Sequence, residues 1–166
     1  MKIGEILRYP NKLTLFPLLD GRRNWYFETA PPDGQSWSAA KLDSGINAPR
    51  SLGGDKQARP YIAIRSSPHR FGTASTPWED IHRPDQGYCR YFGDNKPGRG
   101  PATESLGNKR MMEAFALHNG SYAERLLAPP ILVFEAVPDS GRVKGQVLFH
   151  GFGHNKGRAH YSTVKR

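Results

Sequence analysis

The chain has 166 residues, and 24 Lys+Arg against 15 Asp+Glu leave a net charge of +9 with histidine neutral; the length points to one domain over residues 1–166 and the charge to a polyanionic partner. With 37% hydrophobic and 11% aromatic residues the chain can pack a core, which excludes wholesale disorder, and no run approaches the ~20 apolar residues of a membrane span. The single Cys89 excludes an internal disulfide and a thiolate zinc cluster, and the first residues lack a secretory apolar run, so the chain reads as cytoplasmic.

Eighteen Gly and 14 Pro point to many loops and short strands rather than a helical bundle. Residues 13–19 and 24–29 flank Asp20-Gly21, a turn pair that predicts a hairpin. Residues 31–60 have no sustained period and form a long excursion. Residues 61–67 (YIAIRSS) alternate and predict a strand that ends at Pro68, which cannot donate to a ladder. A loop follows to Gly87, then the aromatic run 87–93 (GYCRYFG) predicts a second strand opening into a Gly- and Pro-punctuated surface loop. Leu106, Met111, Met112, Phe115 and Ala116 recur at helical spacing and predict a helix over about 105–117, with Gly120 as a left-handed stop. Residues 122–127 add a short helical stretch before Pro129-Pro130. Residues 130–137 and 142–151 then flank Pro138 to Gly141 as a hairpin. The sum is a strand-rich α+β fold, a curved mixed sheet or partly closed barrel with one clear helix and long loops.

Charge is unevenly spread. From residue 142 onward the chain carries Arg142, Lys144, Lys156, Arg158, Lys165 and Arg166, with His150, His154 and His160, and no Asp or Glu. Such a stretch displaces counterions from phosphates, so it suits a nucleic-acid rim. A second basic cluster, Arg90, Lys96, Arg99, Lys109 and Arg110, surrounds Tyr91-Phe92, and interleaved basic and aromatic side chains hold a phosphate backbone while offering a stacking face.

Catalytic constellations are weaker. His150, His154, Asn155 and His160 contain the ingredients of a His-Asn-His nuclease, but Gly151, Gly153 and Gly157 argue against the helix it needs, and no carboxylate is near in sequence to hold magnesium. Cys89 lies within a strand pattern and reads as a buried small hydrophobe. Glu79, Asp80 and Asp85 beside His82 read as solvated turn residues rather than metal ligands. Gly93, Gly98 and Gly100 match no nucleotide-binding fingerprint, so no cofactor and no metal are expected. Ser66-Ser67-Pro68-His69-Arg70, at the end of the 61–67 strand, gathers hydroxyl, imidazole and guanidinium donors suited to phosphates or base edges.

The segments SSPHRFGT (66–73), TPWED (76–80), GYCRYFGDNK (87–96), GNKR (107–110), APPILVFEAV (128–137) and KGQVLFHGFG (144–153) resemble the modification-reading domain at the N-terminus of modification-dependent (type IV) restriction endonucleases. That group includes AspBHI-like enzymes and McrA-like HNH endonucleases with a sulfur-binding domain. The resemblance implies an SRA-like domain, not catalytic alone, that binds modified double-stranded DNA and directs a linked nuclease domain. Two marks are read within such architectures. A phosphorothioate reader needs an apolar dent in a basic groove; Tyr91 and Phe92 would form it beside Asp94, Asn95 and Lys96, with Lys96 and nearby arginines on flanking phosphates and His69 and Arg70 on the other side. A 5-methylcytosine reader flips the base into a pocket. Likeness to the compact HNH-linked readers favours phosphorothioate, with methylcytosine reading and an HNH-type metal-dependent nuclease as alternatives.

Overall fold

Alternating apolar residues build the sheet. The computed structural model describes residues 1–8, 25, 42, 44–49, 59–68, 72, 79–93, 100–137 and 145–154. In chain order they form β1 (Ile6–Arg8), β2 (Ile46–Asn47), β3 (Ile62–Ser66), β4 (Ile81–Arg83), β5 (Tyr88–Arg90), α1 (Leu106–His118), α2 (Tyr122–Leu127), β6 (Ile131–Ala136) and β7 (Gln146–Gly153), with short 3-10 turns at Pro84–Gln86 and Ala102–Glu104. Five strands make one open sheet in the order β1-β7-β6-β3-β2, and β4 and β5 make a separate two-stranded ribbon. The large sheet is mixed, as expected: β3 and β6 run parallel, with Ser66 beside Glu135, whereas β1–β7, β6–β7 and β2–β3 are antiparallel. Among the described residues it does not close into a barrel.

The predicted 61–67 strand is β3, the helix over 105–117 is α1, and the last hairpin is the β6–β7 pair. The hairpin expected at 13–29 lies outside the described residues. Three strands escape the sequence pattern: β1 and β2 are too short to alternate, and β4 lies in a stretch read as loop. Gly120 is not in the left-handed region; α1 ends at Asn119, whose side chain donates to the Phe115 carbonyl at 2.8 Å. Gly120 instead leaves room for Glu124, which closes a capping box at the start of α2: Glu124 Oε2 accepts from Ser121 N at 2.7 Å, and Ser121 Oγ accepts from Glu124 N.

Each face of the sheet buries its own cluster. Ala63, Leu132, Phe134, Val147 and Phe149 pack with Leu7, Trp25 and Leu42, and Trp25 meets Phe134 edge-on at 5.0 Å between ring centres. On the other face Ile62 packs with Ile46 and with Ala114 of α1, flanked by Met111 and Tyr91. The first turn of α1 lies so close to β2 that a Cβ on Gly107 would stand 3.0 Å from Ile46 Cβ.

One irregularity interrupts β7. Val133 is opposite Gly151 while Phe134 is opposite Phe149, so His150 is an extra residue in a β-bulge, and Gly151 supplies the positive φ of +131° there. Beyond the bulge the facing is reversed, and Phe152 meets Phe149 edge-on at 5.4 Å.

Phe149 is fully buried. Phe149→Ala should therefore cost about 3–5 kcal/mol in urea unfolding, while Thr103→Ser, at an exposed position, stays within about 0.5 kcal/mol of the parent.

Candidate nucleic-acid interface

The site grows from the carboxyl end of β3, on the α1 side of the sheet. Ser66 is buried there, and its Oγ donates to Asp80 Oδ2 at 2.7 Å. The other carboxylate oxygen, Oδ1, accepts from the backbone N–H of Phe92 at 3.1 Å. One side chain thus joins the end of β3 to both flanks of the β4–β5 ribbon. Asp80 is buried, not the solvated turn residue expected from its loop-like surroundings. Burial raises its carboxyl above the ordinary range, against the opposing pull of the Phe92 and Ser66 hydrogen bonds and the charge of His82.

The β4–β5 ribbon pairs His82 directly with Cys89. Cys89 Sγ lies 3.9 Å from His82 Nε2. The cysteine residue as a whole is exposed, contrary to expectation, yet its sulfur is crowded. Desolvation, and then the charge of Asp80, push the thiol up to about 11, so it carries no nucleophilic thiolate at neutral pH.

Tyr91 and Phe92 part company, as side chains on extended backbone do. Tyr91 packs on the Ile46–Ile62–Ala114 cluster, and its hydroxyl leaves no room for a side chain at residue 45, which is glycine. Phe92 is 48% exposed, and the Arg90 guanidinium carbon lies 5.9 Å from its ring centre. An apolar dent made from both rings is therefore not what forms; Phe92 presents the open face. Gly93 follows at φ +83° and lies against Asn108, whose oxygen a Cβ would meet at 2.7 Å. Asn108 is held by donating to the Ala102 carbonyl at 2.8 Å, so the chain leaving Phe92 is seated on the start of α1.

Beneath the ribbon three further residues converge. His150 Nε2 lies 2.8 Å from Glu135 Oε2, His82 Nδ1 lies 3.9 Å from the same oxygen, and the two imidazole centres are 5.1 Å apart. Burial, then the charge of His150, lowers the basicity of His82, while Glu135 and Asp80 oppose that shift. His154 goes elsewhere and stacks on His118 of α1 at 6.2 Å. The histidines with the ingredients of a nuclease centre are divided between two places on an extended strand, and Asn155 and His160 lie outside the described residues.

Of the other expected contacts, Ser67 is partly buried beside Ser66, and Arg90 and Lys109 are exposed. Arg110 is committed in part to Glu113, donating from Nη1 to both carboxylate oxygens at 2.9 and 2.7 Å. His69, Arg70, Asp94, Asn95, Lys96, Arg99, Lys156 and Arg158 lie outside the described residues. Sequence reasoning missed Glu135 and misread Asp80. The available signal for Glu135 was a lone charge inside an otherwise apolar strand, PILVFEAV. A cavity of about 300 Å³ on the Trp25 side, lined by Tyr61, Pro130, Leu132 and Phe152 among others, contains none of the expected site residues.

Residues 41–157 match the family model described as restriction endonuclease AspBHI N-terminal. The structure of the MspJI restriction endonuclease in complex with a 27-mer oligonucleotide is 42% identical to this chain, with a TM-score of 0.73 over 92% of this chain and 36% of that one. The DNA recognition domain of the cytosine modification-dependent restriction endonuclease LpnPI shares the fold at 21% identity, with a TM-score of 0.53 over 67% of this chain and 47% of that one. The DNA modification-dependent restriction endonuclease AspBHI is 22% identical, with a TM-score of 0.49 over 75% of this chain and 28% of that one. The chain thus spans about a third of the length of the MspJI chain it matches. None of the curated proteins compared with it matches. With residues 41–157 matched, most of its length, the chain belongs to the restriction endonuclease AspBHI N-terminal family.

Proposed function

We propose that residues 1–166 are one recognition domain that binds duplex DNA carrying a modified cytosine, draws that base out of the stack, and directs a linked nuclease to the site. The observation that carries this reading is the buried carboxylate of Asp80 bonded to the backbone of Phe92, whose ring is exposed. A flipped cytosine offers an N4 amino donor to such a carboxylate and a flat face to such a ring. Ser66 and the Phe92 N–H hold the carboxylate in place before the base arrives. Exposed Arg90 and Lys109 would meet phosphates, together with the basic residues at 70, 96, 99, 156 and 158.

The same carboxylate argues against a phosphorothioate as the central ligand. Sulfur for oxygen leaves the backbone anionic, and an anion placed against Asp80 and Glu135 meets like charge in a partly desolvated site. A neutral base does not. The dependence of LpnPI on a cytosine modification and the oligonucleotide bound to MspJI lend further support. The phosphorothioate reading keeps one favourable observation, the apolar Phe92 ring beside Arg90.

Identical duplexes carrying one 5-methylcytosine, one phosphorothioate or neither separate the two. Tighter binding of the methylated duplex is expected; a preference for phosphorothioate would overturn the reading. Asp80→Asn, which replaces an acceptor oxygen by a donor, should erase most of that preference while a melting curve shows the fold retained.

Two further variants separate holding DNA from reading its mark. Phe92→Ala should weaken methylated duplex by about 1–3 kcal/mol, the scale of one base–aromatic stack, and unmodified duplex by much less. Lys109→Ala should weaken both duplexes by the same factor and flatten the slope of log affinity against log salt by about 0.9. Titrations at four salt concentrations measure both effects.

A further inference from the structure

Two imidazoles and a carboxylate from three strands meet under the β4–β5 ribbon: one ligand atom each from His82, Glu135 and His150, all within 4.8 Å of one another. The side chains of His82 and His150 are only 9% and 15% exposed, and that of Glu135 29%. His82 Nδ1 is buried and makes no hydrogen bond, although it lies 3.9 Å from Glu135 Oε2. A buried ring nitrogen without a partner is costly, and buried polar atoms in native proteins are nearly always satisfied. A hydrogen bond between His150 and Glu135 accounts for two of the three groups and leaves this nitrogen unexplained.

A cation between the three would account for all of them. Donors bound about 2.0–2.2 Å from a tetrahedral zinc ion stand roughly 3.3 Å apart. The two distances to Glu135 Oε2, 2.8 and 3.9 Å, fall on either side of that spacing, so small side-chain rotations suffice. Two nitrogens and one oxygen suit a borderline first-row ion, whereas magnesium takes oxygen ligands in an octahedron. Cys89 Sγ, 3.9 Å from the other nitrogen of His82, stands where an outer contact orients a ligating imidazole.

The fold explains how the three arrive together. His150 is the extra residue of the β7 bulge, Glu135 is on the neighbouring strand β6, and His82 is on the ribbon. The ribbon has three residues in each strand, and those of β5 are all exposed; a two-stranded ribbon of that size is marginal by itself. An ion here would fasten it to the sheet and hold Asp80, Tyr91 and Phe92 in their places.

We infer that His82, Glu135 and His150 form a binding site for one zinc-class divalent ion, which anchors the β4–β5 ribbon to the five-stranded sheet. The site does not depend on which DNA mark is read, and its test reads metal rather than DNA. Untagged chain is dialysed against Zn²⁺, desalted, and analysed for metal content and melting temperature, alongside Glu135→Gln, His150→Gln and, as a control, His154→Ala. One zinc per chain is expected, with a higher melting temperature than after EDTA treatment. Zinc affinity should fall by roughly tenfold or more in Glu135→Gln and His150→Gln, and stay unchanged in His154→Ala. Native chain that emerges free of zinc would overturn the proposal, whatever the variants do. So would full zinc retention in the Glu135→Gln and His150→Gln chains, which would move the ion to other histidines, or an equal rise in melting temperature from Mg²⁺ alone.

Discussion

The Asp80 carboxylate is where the sheet and the recognition ribbon are joined. It accepts from Ser66 at the end of β3 and from the backbone of Phe92 just past β5, so both ends of the ribbon are tied to one strand end. Carboxylates that accept such bonds while buried are held against a desolvation cost, and the raised pKa of Asp80 shows that burial outweighs its donors. Each of its two oxygens accepts one hydrogen bond and keeps a further lone pair to offer. A ligand that brings another donor to it gains more than it would at an exposed acid, because the alternative partner, bulk water, is already largely absent.

A strongly basic chain with an acidic centre divides two tasks by distance. Net charge of +9 attracts a polyanion from any direction and carries no information about what the polyanion bears. Asp80 and Glu135 act only at contact, and there they oppose phosphate. On the proposed reading, the backbone of DNA is thereby kept to the rim, and the interior is left to a neutral group small enough to leave the helix. The exposed Phe92 ring lies at the boundary between the two zones.

Legibility followed the range over which each feature is determined. β3, α1 and the β6–β7 pair were readable because apolar periods of two and 3.6 residues are local properties. β4 was not: Ile81-His82-Arg83 is three residues long, and its strand character comes from pairing with β5. Tyr91 and Phe92 are alike in the sequence, and only the position of α1 decides which ring is covered. The meeting of Glu135 with His150 was out of reach for a different reason. Ser66 and Glu135 become neighbours through the parallel pairing of β3 with β6, and His150 joins them through a bulge, neither of which leaves a mark in the composition of the segments involved.

The β7 bulge also makes the length of that strand more consequential than the identity of its residues. Phe149 and Phe152, three positions apart, would lie on opposite faces of a regular strand, yet they touch edge-on because His150 is an extra residue against β6. Losing His150 would restore a regular strand with Phe152 still opposite Leu132 and would withdraw only the imidazole from Glu135, whereas gaining a residue here would send Phe152 to the far side. A replacement at position 150 would likewise disturb only the polar cluster. An insertion in this stretch is consequently a harsher change than an exchange of side chain, since it unmakes a packing contact and displaces a polar cluster together.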